Sequence, residues 1–127
     1  ERQERTRQSE GAQYWRQQLP LAMENLAELS DAGVRIAMGT DSGPPGRFQG
    51  YFEHMEMAMM ADAGMSPAEV LRSATRDAAD CMGLGETLGT LAPGKWADFL
   101  VLETDPLASV SNLRSIESVH IGGQAQH

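Results

Sequence analysis

The sequence predicts an α/β chain, and three observations predict it. Leu19, Ala22, Leu26 and Leu29 recur at helical spacing ahead of a glycine. Val34-Arg35-Ile36-Ala37-Met38 follows as a short apolar run of strand length. Beyond a helical middle, the pattern turns to short apolar runs separated by Gly and Pro.

Taken in order, residues 1–10 (ERQERTRQSE) are mixed in charge and read as a solvated helix or frayed terminus. Tyr14 to Asp31 reads as a helix that Pro20 either starts or kinks. Gly33 ends it, and Val34 to Met38 reads as a buried strand stopping at Gly39. Asp41 to Gly50, rich in Gly and Pro, is a loop at the C-terminal end of that strand, where α/β folds bind ligands. Tyr51 to Ala63 is a second helix closed by Gly64. Ser66-Pro67-Ala68-Glu69 opens a third with a capping box and a first-turn proline, and it ends at Gly83 or Gly85. Its apolar stripe is Val70, Leu71, Ala74 and Ala78, and Cys81 reads as a small buried residue. Ala97 to Leu102 reads as a buried strand broken by Asp105-Pro106, and Ile116 to Ile121 as a last strand before the Gly122-Gly123 turn.

Composition narrows the function classes. At 127 residues the chain can enclose one hydrophobic core, and 41% hydrophobic with 22% charged residues is globular composition. A net charge of −8 repels phosphate backbones and anionic lipid, so neither nucleic acid nor membrane is an expected partner. A single cysteine, Cys81, builds neither an internal disulfide nor a thiolate zinc cluster, which fits a reducing, cytoplasmic setting.

The run Gly39-Thr40-Asp41-Ser42-Gly43-Pro44 supports two opposed chemistries. Ser42 is a candidate nucleophile, with Glu117 and His120 as acid and base in a serine-hydrolase order. A trypsin-like order is excluded, because His54, His120 and His127 all lie downstream of the serine. Alternatively, a carboxylate at the end of a buried strand, beside glycines that let the backbone turn, can ligate a divalent cation and take a proton from water. Asp41 then carries the chemistry, although Asp and Ser also serve simply to cap turns. Arg47 and Phe48 in the loop and His54 one helical turn on are candidate substrate contacts, each with a plainer surface role as the alternative. The methionines at 55, 57, 59, 60 and 65 read as adaptable core packing, or as a sticky face where packing partners are missing.

Asp31 to Ser42 (DAGVRIAMGTDS), Glu53 to Met57, Ala63 to Leu71 (AGMSPAEVL), Ala74-Thr75 with Ala78-Ala79, and Gly89 to Leu102 (GTLAPGKWADFLVL) followed by Asp105-Pro106-Leu107 stand in this order. Together they resemble the amidohydrolase superfamily. The resemblance covers the chain from about Leu26 to Gly123 and is nearest the imidazolonepropionase- and prolidase-like branch.

It implies the C-terminal strand-helix units of a (β/α)8 TIM-type barrel (residues 1–85) plus strands of a small β-sandwich (residues 86–127). It also implies a metal-dependent hydrolase of carbon–nitrogen bonds in small amides or cyclic amides, with a divalent cation, zinc by resemblance. Asp41 matches the strand-8 aspartate that binds metal and shuttles a proton, while Ser42 sits beside the site without a nucleophilic role. The family's remaining ligands, a His-x-His and histidines preceding this aspartate, have no counterpart in these residues. The chain is therefore expected to be a fragment inactive on its own. A non-catalytic fragment that forms homo-oligomers through exposed apolar surface is the competing expectation.

Overall fold

The computed structural model describes residues 8–46 and 48–126, which form two compact units divided between Val34 and Arg35. The first unit is helix α1, Glu10–Asp31. Ser9 caps it, its hydroxyl accepting the Ala12 N–H at 3.2 Å, so the helix starts four residues ahead of the expected Tyr14. Pro20 sits inside α1, where it removes one rung of the ladder. Gly33, at φ 76°, turns the chain out of it. Most of the polar segment expected over residues 1–10 lies outside the described residues. Among the described residues, no helix is long and apolar enough to cross a membrane.

The second unit holds helix α2 (Tyr51–Asp62), α3 (Pro67–Arg72), a π-helical turn (Ser73–Asp77) and α4 (Ala78–Cys81). Strand β1 (Phe99–Leu102), a 3-10 turn (Val110–Arg114), β2 (Ile116–Ile121) and β3 (Gln124–Gln126) follow. The capping box expected at α3 is present: Ser66 Oγ accepts the Glu69 N–H at 3.4 Å, and Glu69 Oε2 accepts the Ser66 N–H at 2.7 Å. The single helix expected to follow is instead interrupted. Thr75 Oγ1 donates to the Leu71 carbonyl at 2.6 Å, and the Ser73 carbonyl accepts the Met38 N–H at 3.1 Å. Both carbonyls thus gain partners outside the helical ladder, and the helix widens by a π turn at that point.

The sheet is antiparallel in the order β1-β2-β3. Phe99 pairs with His120 and Val101 with Ser118, and a bulge then sets Leu102 opposite Ile116. Gly122 and Gly123, at φ 57° and 78°, supply the two left-handed positions that a tight β2–β3 hairpin requires. Asp98 Oδ1 accepts the Gly122 N–H at 2.7 Å, tying the start of β1 to that turn. Lys95 donates to the carbonyls of Gly85 and Leu88, so its role is structural.

The core of this unit comprises Met57, Met60, Met65, Val70, Ala79, Val110 and Leu113. The 3-10 turn supplies Val110 and Leu113 and packs on α2. Fully burying an aliphatic side chain such as Val70 stabilises by about 1.5–3 kcal/mol. Of the five methionines in the Met-rich stretch, Met57, Met60 and Met65 are buried, in the adaptable packing role expected of them.

Three expectations change. Val34 to Met38 forms no strand, because a parallel strand exists only through its neighbours and the three described strands pair with one another. Val34 is half exposed as a result. Cys81 is exposed rather than buried, since the π turn shifts the phase of the helix that follows. The strand expected from Ala97 begins at Phe99 and is only partly buried, with Leu100 exposed.

Candidate functional site

The loop after Met38 is shaped by hydroxyls. Thr40 Oγ1 donates to Glu53 Oε1 at 2.9 Å and lies 2.7 Å from Ser42 Oγ, and the Ser42 N–H donates to Thr40 Oγ1 at 3.3 Å. Between them Asp41 adopts φ 51°, the one non-glycine described residue in the left-handed region. An L-residue there costs roughly 1–2 kcal/mol, somewhat less for Asp, and persists only when its surroundings enforce it.

Glu53 belongs to the first turn of α2, and its Oε2 accepts the Gly50 N–H at 2.5 Å. Its own backbone N–H, the Ser42 and Thr40 hydroxyls and the Gly50 N–H hold its carboxyl below the ordinary 4.5, against a smaller opposing effect of burial. Glu53 was not among the candidate site residues. Its signal was a Gly-x-x-Glu helix start at Gly50, the same spacing as the capping box at Ser66 but with a glycine in the cap position.

The other candidates are placed as follows. Ser42 bonds with Thr40, while His120 Nε2 lies 3.1 Å from Ser118 Oγ and its ring stacks on Phe99 at 4.4 Å. The nucleophile–base pairing is therefore not formed in this structure. Phe48 is exposed in the loop, its carbonyl accepting the Phe52 N–H. His54 lies half-buried on α2, and burial, then the Arg114 guanidinium, push its pKa below 6.5, with Glu53 acting in the opposite sense. Neither Phe48 nor His54 makes a side-chain hydrogen bond to Thr40 or Ser42 among the described residues. Arg47 lies outside the described residues.

An α/β chain that presents a strained aspartate in a Gly-Thr-Asp-Ser loop, followed by helices and a small sheet, falls in the class of the amidohydrolases. The amidohydrolase family model matches residues 17–125, and the chain belongs to that family. It is similar to the imidazolonepropionase of Desulfotalea psychrophila, 31% identical over 97 residues that cover 74% of this chain and 23% of that protein. The imidazolonepropionase of Deinococcus deserti is 39% identical over 77 residues, covering 60% and 19%. Among solved structures, a Xaa-Pro dipeptidase with methionine bound in its active site superposes with a TM-score of 0.75 at 27% identity, covering 85% of this chain and 26% of its own. A molinate hydrolase does so with a TM-score of 0.75 at 28% identity, covering 81% and 26%. The chain thus spans about a quarter of the length of the proteins it matches.

Members of the family are generally metal-dependent. Among the described residues, no group of three or more His, Cys, Asp or Glu side chains could hold a metal ion. A catalytic zinc needs about three protein ligands, so these residues do not by themselves fit one.

Proposed function

We propose that this chain is the C-terminal portion of a hydrolase that cleaves a carbon–nitrogen bond in a small amide or cyclic amide, and that Asp41 is its contribution to the reacting centre. The observation that carries this is the left-handed Asp41, held between two interlocked hydroxyls on a loop that resembles the family's strand-8 motif. A strained carboxylate enforced by its neighbours marks a place where precise presentation matters. In this reading the Asp41 carboxylate takes a proton from the water that attacks the carbonyl carbon. It returns that proton to the nitrogen as the C–N bond breaks. A divalent ion in the intact enzyme, zinc by resemblance, would need ligands besides Asp41 that the described residues do not supply.

Residues 1–85 then correspond to the last units of the barrel and residues 86–127 to part of the sandwich, in a cytoplasmic enzyme. Ser42, Arg47, Phe48 and His54 border the substrate.

The test is complementation. The chain is co-expressed with the Deinococcus deserti imidazolonepropionase from which the matching segment has been removed, and hydrolysis is assayed in the co-purified complex. The native chain is expected to restore turnover, Asp41→Asn to lower it at least 100-fold, and Ser42 to stay unmodified by a serine-reactive phosphonate. Equal restoration by Asp41→Asn, or phosphonate labelling of Ser42, overturns the proposal.

A further inference from the structure

We propose that Glu53 is the positioning residue for Asp41, a single carboxylate that closes both ends of the Asp41–Gly50 loop and so holds Asp41 in its left-handed conformation. This rests on the reading of Asp41 as the reacting carboxylate.

The two oxygens of Glu53 do different work. Oε1 accepts the Thr40 hydroxyl, on the residue just before the loop, and Oε2 accepts the Gly50 N–H, on its last residue. Thr40 passes the constraint on, because the same Oγ1 accepts the Ser42 N–H and pairs with the Ser42 hydroxyl across Asp41. The strained residue is thus bracketed on both sides by groups that converge on one side chain. That side chain stands on α2, an element anchored by the buried Met57 and Met60. Gly43 and Gly46, both at positive φ, make the interior of the loop conformationally permissive.

The two bonds require a side chain at position 53 that reaches both ends of the loop with polar atoms. Gly50 offers an N–H and the Thr40 hydroxyl donates its proton, so both oxygens of Glu53 accept in this structure. A leucine there carries no acceptor and leaves both the Thr40 hydroxyl and the Gly50 N–H without their partner on α2. Likewise Thr40→Ser keeps the hydroxyl that relays the constraint, whereas Thr40→Val keeps the shape and loses it.

Isotope-labelled full chain reports both ends at once. Backbone couplings and carbon shifts read φ at Asp41, and hydrogen exchange reads the Ser42 and Gly50 amides. In native chain and Thr40→Ser, Asp41 is expected at positive φ with both amides protected. In Glu53→Leu and Thr40→Val, Asp41 is expected to move to an averaged negative φ and at least one of the two amides to exchange at least tenfold faster, with helix content unchanged by circular dichroism. Thr40→Val serves if Glu53→Leu does not fold. Positive φ at Asp41 with unchanged exchange in both variants overturns the inference. Its failure is distinct from failure of the functional reading. A fully active Asp41→Asn in the complementation assay removes the reacting role and leaves the hold of Glu53 on the loop standing. Unaltered Asp41 geometry in the Glu53 and Thr40 variants does the reverse.

Discussion

Glu53 and Glu69 each stand in the first turn of a helix, and each accepts the N–H of the residue that caps it. Glu69 is held below 4.5 chiefly by the Ser66 hydroxyl and then by the Ser66 N–H, as Glu53 is by its own N–H and the loop hydroxyls. Folding therefore favours both ionised forms. Their contribution is complete above the unfolded value of about 4.5 and is lost as pH falls through the lower folded values. His54 has the same sign for a different reason: burial and Arg114 disfavour its charged form, so below about 6.5 the unfolded chain takes up the proton more readily. Thermal melting followed by circular dichroism is expected to show a first loss of stability beginning near pH 6.5, absent in His54→Gln, and a second below pH 4.5. A melting temperature that stays flat from pH 7 to pH 5 would contradict the burial of His54.

Among the elements, the turn after α4 shows how tightly the helical part meets the segment that leads to β1. Gly89, at φ 89°, lies where an added Cβ would come within 2.6 Å of Ala79 Cβ and 3.1 Å of the Thr75 carbonyl. Backbone strain alone at such a position costs of order 1–3 kcal/mol, and the steric overlap adds to it. Gly89→Ala is expected to destabilise the chain by at least about 2 kcal/mol in urea denaturation. Gly94→Ala, at φ 90° but with open space around it, is expected to lose less. Equal losses at the two sites would show that close approach to Ala79 is not what Gly89 permits.

For the whole molecule, legibility followed how local each cause was. The Ser66 capping box, the α2 start at Tyr51 and the exact span of β2 were readable because their causes lie within a few residues. The π turn was not, since one of the bonds at its centre comes from Met38, far away in sequence. The buried strand at Val34 to Met38 was misread because an apolar run shows strand pattern but not strand pairing, and the three described strands pair only with one another. At the candidate site, the Thr40–Glu53 bond could not be read from sequence, because it joins the loop to a helix across a separation of 13 residues. Trp15, Phe48, Leu91, Met82 and Trp96 are each at least 61% exposed. Concentration-dependent elution on size exclusion is expected at micromolar chain, and it should be relieved in the complementation complex. A strictly monomeric profile up to 100-fold higher concentration would count against this.

The closure of residues 41–50 at both ends by one side chain has a consequence for how such a protein can diversify. A stretch whose boundaries are fixed from outside becomes an exchangeable cassette: its interior can lengthen or change composition while Asp41 stays where it is. Doubling such a loop costs only about 0.6 kcal/mol in closure entropy. Replacing residues 43–49 with a longer Gly/Ser stretch should therefore leave the Asp41 backbone couplings unchanged. New substrate preferences could then arise between two fixed points without the chemistry having to be rebuilt.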